Sequence, residues 1–492
     1  MNHNFLLLFV LVFFTTVARG HPSGAEPAEP ETVIIRGMVT PQEQYTYRLE
    51  PFTMPANIGR IEVEFEYTGQ HDFAEIEIGL FDPHGFRGTS RFSKSSFEVG
   101  RYEATPSYFP GHMPAGEWQI SLGFPTVQQE SAYKITIRLL PETAPEFAAP
   151  RKNPLQNGAR WYAGDFHTHT GHSDAFGCQD TRGERSPCQV YQVAEAAHRN
   201  NLEFVAVTDH NTISHYHDIN GLQPVFPDLL LLRGQEITTF YGHANIYGAG
   251  KPVDFRIGYE GRTVEHIQQD SRELGSLFAI NHPGRATGAA CTGCGWSAEQ
   301  TNYDLVDAIE IVNGTNVENE ISGIPFWHNL LNQGYQITGI GGSDDHDAGF
   351  GRAQPGMPTT VVWAAELSEA AILDGVRSGR VYLMTQGAEE AAFSFYANAC
   401  YETWQMGSTI YLAELPVEDP VAFHAVTSQQ EDLTAEWIHN GEVVAVQQAG
   451  EPDKNGMVSF SFTPSSNDKG WIRLNLRRNG AITLISNPIY LR

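Results

Sequence analysis

Hydrophobic and polar positions change rhythm along the chain. From about residue 31 to 140 they alternate, as in Arg60-Ile-Glu-Val-Glu-Phe-Glu-Tyr67, Glu75-Ile-Glu-Ile-Gly-Leu80 and Tyr133-Lys-Ile-Thr-Ile-Arg-Leu139, with Gly and Pro between the runs. A period of two punctuated by turn residues predicts half-buried strands and an all-β, sandwich-like region. From residue 160 to about 385, short apolar runs alternate with amphipathic stretches, and helices are expected over Val190–Asn200, Thr263–Leu274, Asn319–Gln333 and Ser368–Ser378. Strand–helix alternation of that length predicts an α/β fold, either a barrel or doubly wound. Beyond residue 386 the two-residue period returns, in Met457-Val-Ser-Phe-Ser-Phe462 and Trp471-Ile-Arg-Leu-Asn-Leu476, and predicts a second β region.

The two ends of the first region read differently. Phe5-Leu-Leu-Leu-Phe-Val-Leu-Val-Phe-Phe14 is an unbroken apolar run followed by Ala18-Arg-Gly20, a small-x-small cleavage pattern. Residues 1–20 therefore read as an export signal, and the run is shorter than the ~20 residues needed to span a bilayer. Residues 143–159, rich in Pro, Ala and Glu at their start, read as a linker. The expected organisation is thus signal 1–20, β region 21–142, linker 143–159, α/β region 160–385 and β region 386–492. Export predicts a periplasmic or secreted protein, and makes local disulfides between Cys178 and Cys188 and between Cys291 and Cys294 the simplest pairing of the five cysteines, with Cys400 left as a buried thiol. The second pair could instead bind zinc or exchange disulfides.

Acidic residues outnumber basic ones 58 to 31, a net charge of −27. Long-range repulsion then argues against nucleic acid or an anionic membrane as the partner, and leaves a small-molecule substrate. It does not exclude a small anion, because bound metal supplies local positive charge.

The candidate chemistry lies in the α/β region. His167-Thr-His169 places two imidazoles two residues apart, hence on one side of a strand, with Asp174 five residues on. Further ligand-type residues close other apolar runs: Asp209-His210 after Val205-Ala-Val, Glu236 after Leu231-Leu, His243, His282 in Asn281-His-Pro283, and Asp344-Asp-His346 after Ile340-Gly-Gly. A closed structural metal site needs about four ligands, and nine candidates exceed that.

Those residues carry a family resemblance. His167-x-His169, Asp174, His210, Glu236, His243, His282 and Asp344-x-His346 resemble the ligand series of the PHP (polymerase and histidinol phosphatase) superfamily of metallohydrolases. The export signal, Phe81-Asp-Pro-His-Gly-Phe-Arg-Gly88, Thr208-Asp-His-Asn-Thr212, Gly242-His-Ala-Asn245 and the C-terminal Asn487-Pro-Ile-Tyr490 are similar to the CehA/McbA branch. The resemblance implies a distorted (β/α)7 barrel flanked by N-terminal and C-terminal sandwich-like domains. It also implies two to three divalent ions, zinc, iron or manganese. His167, His169, Glu236 and Asp344 would hold the first; Glu236, His243 and His282 the second; Asp174, His210 and His346 the third. The implied nucleophile is a metal-activated hydroxide and the implied reaction is hydrolysis of a phosphoester.

Among other residues, Arg285 is expected to clamp a phosphate oxygen, Asp209 to orient a ligand, and His215, His172 or His217 to protonate a leaving group. The branch is named for a carbamate hydrolase, so carbamate or carboxyl-ester cleavage is the alternative. A phosphate site should present extra Arg or Lys; an ester site should present apolar walls, for which Phe176, Phe240, Tyr241, Trp296 and Phe326 are available. A third possibility is a surface- or carbohydrate-binding protein whose metal centre only supports the fold.

Overall fold

The computed structural model describes residues 31–141 and 154–492, apart from residues 92, 102, 103, 289, 290, 352, 390, 417–419, 430, 431, 466 and 467. The expected export signal, residue 142 and residues 143–153 of the expected linker lie outside the described residues. The strand Gln156–Thr168 begins inside the remainder of that linker range.

The N-terminal alternation becomes two four-stranded antiparallel sheets. One runs Glu31–Val39, Ser131–Pro141, Ile58–Tyr67, Ser96–Gly100, and the other Tyr47–Met54, Gly116–Val127, Ala74–Asp82, Gly85–Arg91. Ile61, Val63 and Phe65 face one shared core with Ile78, Trp118 and Ile120, while Glu62 and Glu64 pair with Arg138 outside. The period of two is therefore the core face and its opposite.

The middle of the chain is mixed α/β and mostly strand. Neighbouring strands in the sheet run Thr338–Gly342, Ala308–Asn313, Leu277–Ile280, His243–Tyr247, Leu230–Thr238, Phe204–Val207, Gln156–Thr168 and Thr359–Leu367. The pairs are parallel except that His243–Tyr247 is antiparallel to both neighbours and Thr359–Leu367 is antiparallel to Gln156–Thr168. The ladders between these strands form an open path, which leaves the barrel that the resemblance implies as an expectation. The residues just past Thr338–Gly342 are tied to the end of Gln156–Thr168, where the Asp344 N–H donates to His167 O (2.8 Å) and the His169 N–H donates to Asp345 O (2.9 Å).

Three helices match expectation to within a residue: Val190–Arg199, Val264–Glu273 and Glu369–Arg377. The first buries Val190, Val193, Ala194 and Ala197 at helical spacing, and the last is capped by Ser368, whose Oγ accepts the Ala371 N–H. The fourth, Ile324–Asn332, starts five residues later than expected, because Pro325 in its first turn suits only a helix start and the residues before it form turns. The C-terminal strands pack as two sheets around one core, and one of those sheets is continuous with the central sheet. Val381–Met384 pairs with Ala481–Ser486, so Gly470–Arg478, Leu433–His439 and Glu442–Gln448 continue the central sheet, with a four-stranded sheet around Phe393–Ala399 packed on it. Alternation reports which face is buried but not which strand is the partner.

Disulfides join Cys178 to Cys188 and Cys291 to Cys294. Cys400 is exposed at a tight turn with φ 56°, contrary to the burial expected of it.

Candidate metal centre

Six strands of the central run deliver ligand-type residues to one rim. His167 is in the last turn of pleat of Gln156–Thr168, His210 follows Phe204–Val207, Glu236 is in Leu230–Thr238, His282 follows Leu277–Ile280, and Asp344 and His346 follow Thr338–Gly342. His243 opens its strand rather than closing it. Because that strand is reversed, its first residue reaches the same rim. The backbone bends to bring two of these side chains inward: His282 and Asp344 have φ of 27° and 55°, a region that non-glycine residues occupy when the surroundings impose it. Gly342 makes the closest approach possible, since a Cβ there would lie 2.3 Å from His167 Cβ and 2.6 Å from Glu310 Oε1.

All nine candidates converge. Their ligand atoms form four overlapping groups: His169, Asp174, His210 and His346; His167, His282 and Asp344; His167, His169 and Glu236; and His210, Glu236 and His243. Glu236 is central, 3.5 Å from His167 Nε2, 3.5 Å from His169 Nε2, 2.7 Å from His210 Nδ1 and 3.1 Å from His243 Nδ1. Asp174 lies 3.4 Å from both His210 and His346.

Two observations test whether these residues fit divalent metal. Buried polar atoms are normally paired, yet His167 Nε2, Asp174 Oδ1 and Glu236 Oε2 have no hydrogen-bond partner among the described residues. These are atoms a cation would take. Secondly, three carboxylates packed together demand positive charge. Burial disfavours the imidazolium of His346, yet Asp174 and then Asp344 raise it to about 10. His169 goes the other way: burial first, and then His346 and His210, lower it to about 4, leaving a neutral ring able to donate a lone pair. Nitrogen and carboxylate donors in this mixture suit zinc, iron or manganese.

A further layer orients the ligands. Glu310, 2% exposed, sits 3.0 Å from His167 Nδ1 and accepts the His282 N–H at 2.8 Å. A carboxylate facing Nδ1 keeps the proton there and turns the Nε2 lone pair toward the cluster. Sequence reasoning missed Glu310, although an acid inside the apolar run Ala308-Ile-Glu-Ile-Val312 was a signal. It also missed Asn281, whose Nδ2 donates to Glu236 at 2.9 Å. The Cys291–Cys294 loop supplies carbonyls: Thr292 O lies 3.1 Å from His243 Nε2 and Cys294 O 3.0 Å from His282 Nδ1.

Asp209 accepts from the Thr170 N–H and hydroxyl and from Ser173 Oγ, at 2.6–2.8 Å, and so holds the loop that leads to Asp174. Burial opposes its ionisation, but the hydrogen bond and charge of His215, 3.1 Å away, keep it far below the usual carboxylate range. His215 is fully buried behind Asp209, His172 is bonded to Ser214 and Asp218, and His217 is exposed on the helix Tyr216–Leu222. Neither Asp209 nor His215 lines the cavity that opens on the cluster. Arg285 does, with its Nη1 2.9 Å from Asp344. Asn313, which begins an Asn-Gly-Thr sequence, is buried with its amide donated to Glu310.

The cavity has a volume of about 280 Å³. Its walls include His210, His282, Asp344 and Arg285 on one side and, from the N-terminal β region, Glu75, Arg91 and Thr126 on the other. None of Phe176, Phe240, Tyr241, Trp296 or Phe326 is among the lining residues. Phe240 is stacked on Tyr47, and Trp296 packs against Gly242.

No family model and no curated protein matches the chain. Among solved structures it is similar to a two-domain protein from Bacteroides vulgatus ATCC 8482 described as containing a predicted PHP-like metal-dependent phosphoesterase, with 16% identity and a TM-score of 0.35 over 68% of this chain and 95% of that one. It is also similar to PsfC from Pseudomonas syringae PB-5123, with 15% identity and a TM-score of 0.30 over 45% of this chain and 89% of that one. Likenesses this distant leave the chemistry to be argued from the side chains.

Proposed function

We propose that the protein is an exported, metal-dependent phosphoesterase of the PHP superfamily, CehA/McbA branch, whose central strands act as a distorted barrel. The observation that carries the reading is the convergence of six histidines and three carboxylates on one cavity, with ligand atoms left unpartnered in its floor. His167, His169, Glu236, Asp344, His282 and His243 would hold two ions with Glu236 shared, and Asp174, His210 and His346 a third. Bound divalent ions would lower the pKa of a water and draw charge from a phosphoryl oxygen. Glu310 and the carbonyls of Thr292 and Cys294 fix the tautomers of three of the histidines. Arg285 supplies the planar guanidinium that suits a phosphoryl oxygen pair.

Carbamate or carboxyl-ester hydrolysis is the second reading, and the wall chemistry disfavours it, since the five aromatic candidates stand away from the cavity while guanidinium groups line it. The test is to purify the chain, quantify its metals, and assay p-nitrophenyl phosphate, bis-p-nitrophenyl phosphate, an aryl carbamate and an aryl acetate, with His167→Ala as control. Turnover of phosphoesters that is lost with His167→Ala is expected. Turnover of the carbonyl substrates alone overturns the phosphoesterase reading, and a metal-loaded protein that turns over none overturns catalysis altogether.

A further inference from the structure

We infer that Arg91, carried by the N-terminal β region, is a substrate-binding residue of the metal site, forming with Arg285 a two-sided guanidinium clamp for the dianionic phosphoryl group of a phosphomonoester. This rests on the phosphoesterase reading and names its substrate class.

Arg91 ends the strand Gly85–Arg91, in a region with its own core, yet it lines the same cavity as Asp174, His210 and Arg285. Two local features aim it. The pairing with Ala74–Asp82 shifts register between Ile78 and Gly79, so that Ser90 is an extra residue against its partner strand, and Arg91 has φ 47°. A bulge followed by a left-handed non-glycine residue redirects a side chain at a cost in backbone energy, a combination concentrated at functional sites. Its side chain is only 11% exposed, with Nε 3.4 Å from buried Glu77 and Nη1 4.0 Å from Asp174.

The β region is held against the central strands by bonds from the residues that follow Arg91. The Ser107 N–H donates to Ser214 Oγ (2.9 Å), Thr212 Oγ1 donates to Ser107 O (3.0 Å) and Ser93 Oγ donates to Ser173 O (3.2 Å). Tyr47 stacks on Phe240 at 5.2 Å between centroids. These bonds reach the loops that carry Asp174 and His210, so Arg91 is fixed relative to the cluster and is not a swinging surface residue. One guanidinium stands beside each outer carboxylate, Arg91 by Asp174 and Arg285 by Asp344. Planar forks placed on two walls of a 280 Å³ cavity match the several oxygens and double charge of a phosphomonoester. A neutral ester offers neither.

The experiment uses the full chain with its metals. Arg91→Lys keeps a positive charge beside Glu77 but loses the fork; the double variant Arg91→Gln/Glu77→Gln removes the fork and the buried charge together, so that no carboxylate is stranded. Read out are KM and kcat for p-nitrophenyl phosphate, the inhibition constant of inorganic phosphate, phosphate binding by calorimetry, metal content and Tm. Loss of one charge-assisted contact predicts a rise of roughly 10- to 100-fold in KM and in the phosphate constant, with metal content and Tm near wild type. Unchanged KM and phosphate affinity in both variants overturns the inference, as does loss of metal or melting in both, which makes Arg91 structural. If the wild type hydrolyses no phosphoester, the functional reading itself fails. Calorimetry with inorganic phosphate then still decides whether Arg91 binds the anion.

Discussion

Replacing Glu310 by Gln tests the metal centre at a residue that the proposed ions would not touch. The substitution keeps volume and removes one charge. In the structure both carboxylate oxygens accept: Oε1 faces His167 Nδ1 at 3.0 Å, and Oε2 takes the His282 N–H at 2.8 Å and Asn313 Nδ2 at 3.2 Å. An amide has only one accepting end. With its oxygen toward His167, its NH2 opposes the His282 N–H and the Asn313 amide. Flipped, it donates to His167 Nδ1, which moves the imidazole proton to Nε2 and blocks that atom as a ligand. Either way one of two ligand-bearing segments is disturbed. Losing a charge-assisted hydrogen bond at a buried site costs about 1.5–3 kcal/mol, and losing an outer partner of a ligating histidine typically costs about 10–100-fold in metal affinity. The expected result is release of at least one equivalent of metal on dialysis against a weak chelator, measured by elemental analysis, with the circular dichroism of the wild type. Full retention of metal with unchanged affinity would refute the assignment of His167 and His282 as ligands supported by Glu310.

Three further outcomes follow from the same structure. Chelation should lower Tm, because ions bound at about 1,000 times their Kd add about 4 kcal/mol; a Tm indifferent to chelator contradicts a metal centre. In Cys291→Ser/Cys294→Ser the carbonyls of Thr292 and Cys294 lose their tether beside His243 and His282, so metal affinity should fall by roughly tenfold while the fold persists, read by competition with a fluorescent chelator. His328, part-buried and accepting from Arg473 Nε at 3.1 Å, is pushed down to about 3 by burial and by the Arg473 charge. The folded protein keeps this ring neutral while the unfolded chain protonates it below about 6.5, so its contribution is complete above that pH and is lost as pH falls toward 3, amounting to about 2 kcal/mol by pH 5. His328→Gln should remove that part of the acid destabilisation in denaturant melts at pH 7.5 and 5, and an unchanged slope contradicts the assignment.

The parts of the site that were legible before the structure are those that the strand itself presents. His167 and His169 share a face because the pleat has a period of two, and an acid or histidine closing an apolar run falls at the rim of a sheet whatever its neighbours. Glu310 was missed although the same ground offered it, since a charge inside an apolar strand must find a buried partner. What was not legible depends on docking. The alternation of residues 60–67 and 471–476 looks the same, yet one run lies in the N-terminal pair of sheets and the other extends the central sheet, because the pattern records burial and not pairing. His243 arrived at the rim by strand reversal, which no spacing announces. Arg91 is the extreme case: its strand reads as ordinary β sequence, and its reach into the cavity comes from a bulge and from bonds such as Ser107 to Ser214. Ligands that strands deliver tell what can be activated at the rim, and walls that docking delivers tell what can enter. The two sources of information therefore part at the boundary between chemistry and specificity, and the Arg91 variants probe the side of it that sequence periodicity does not reach.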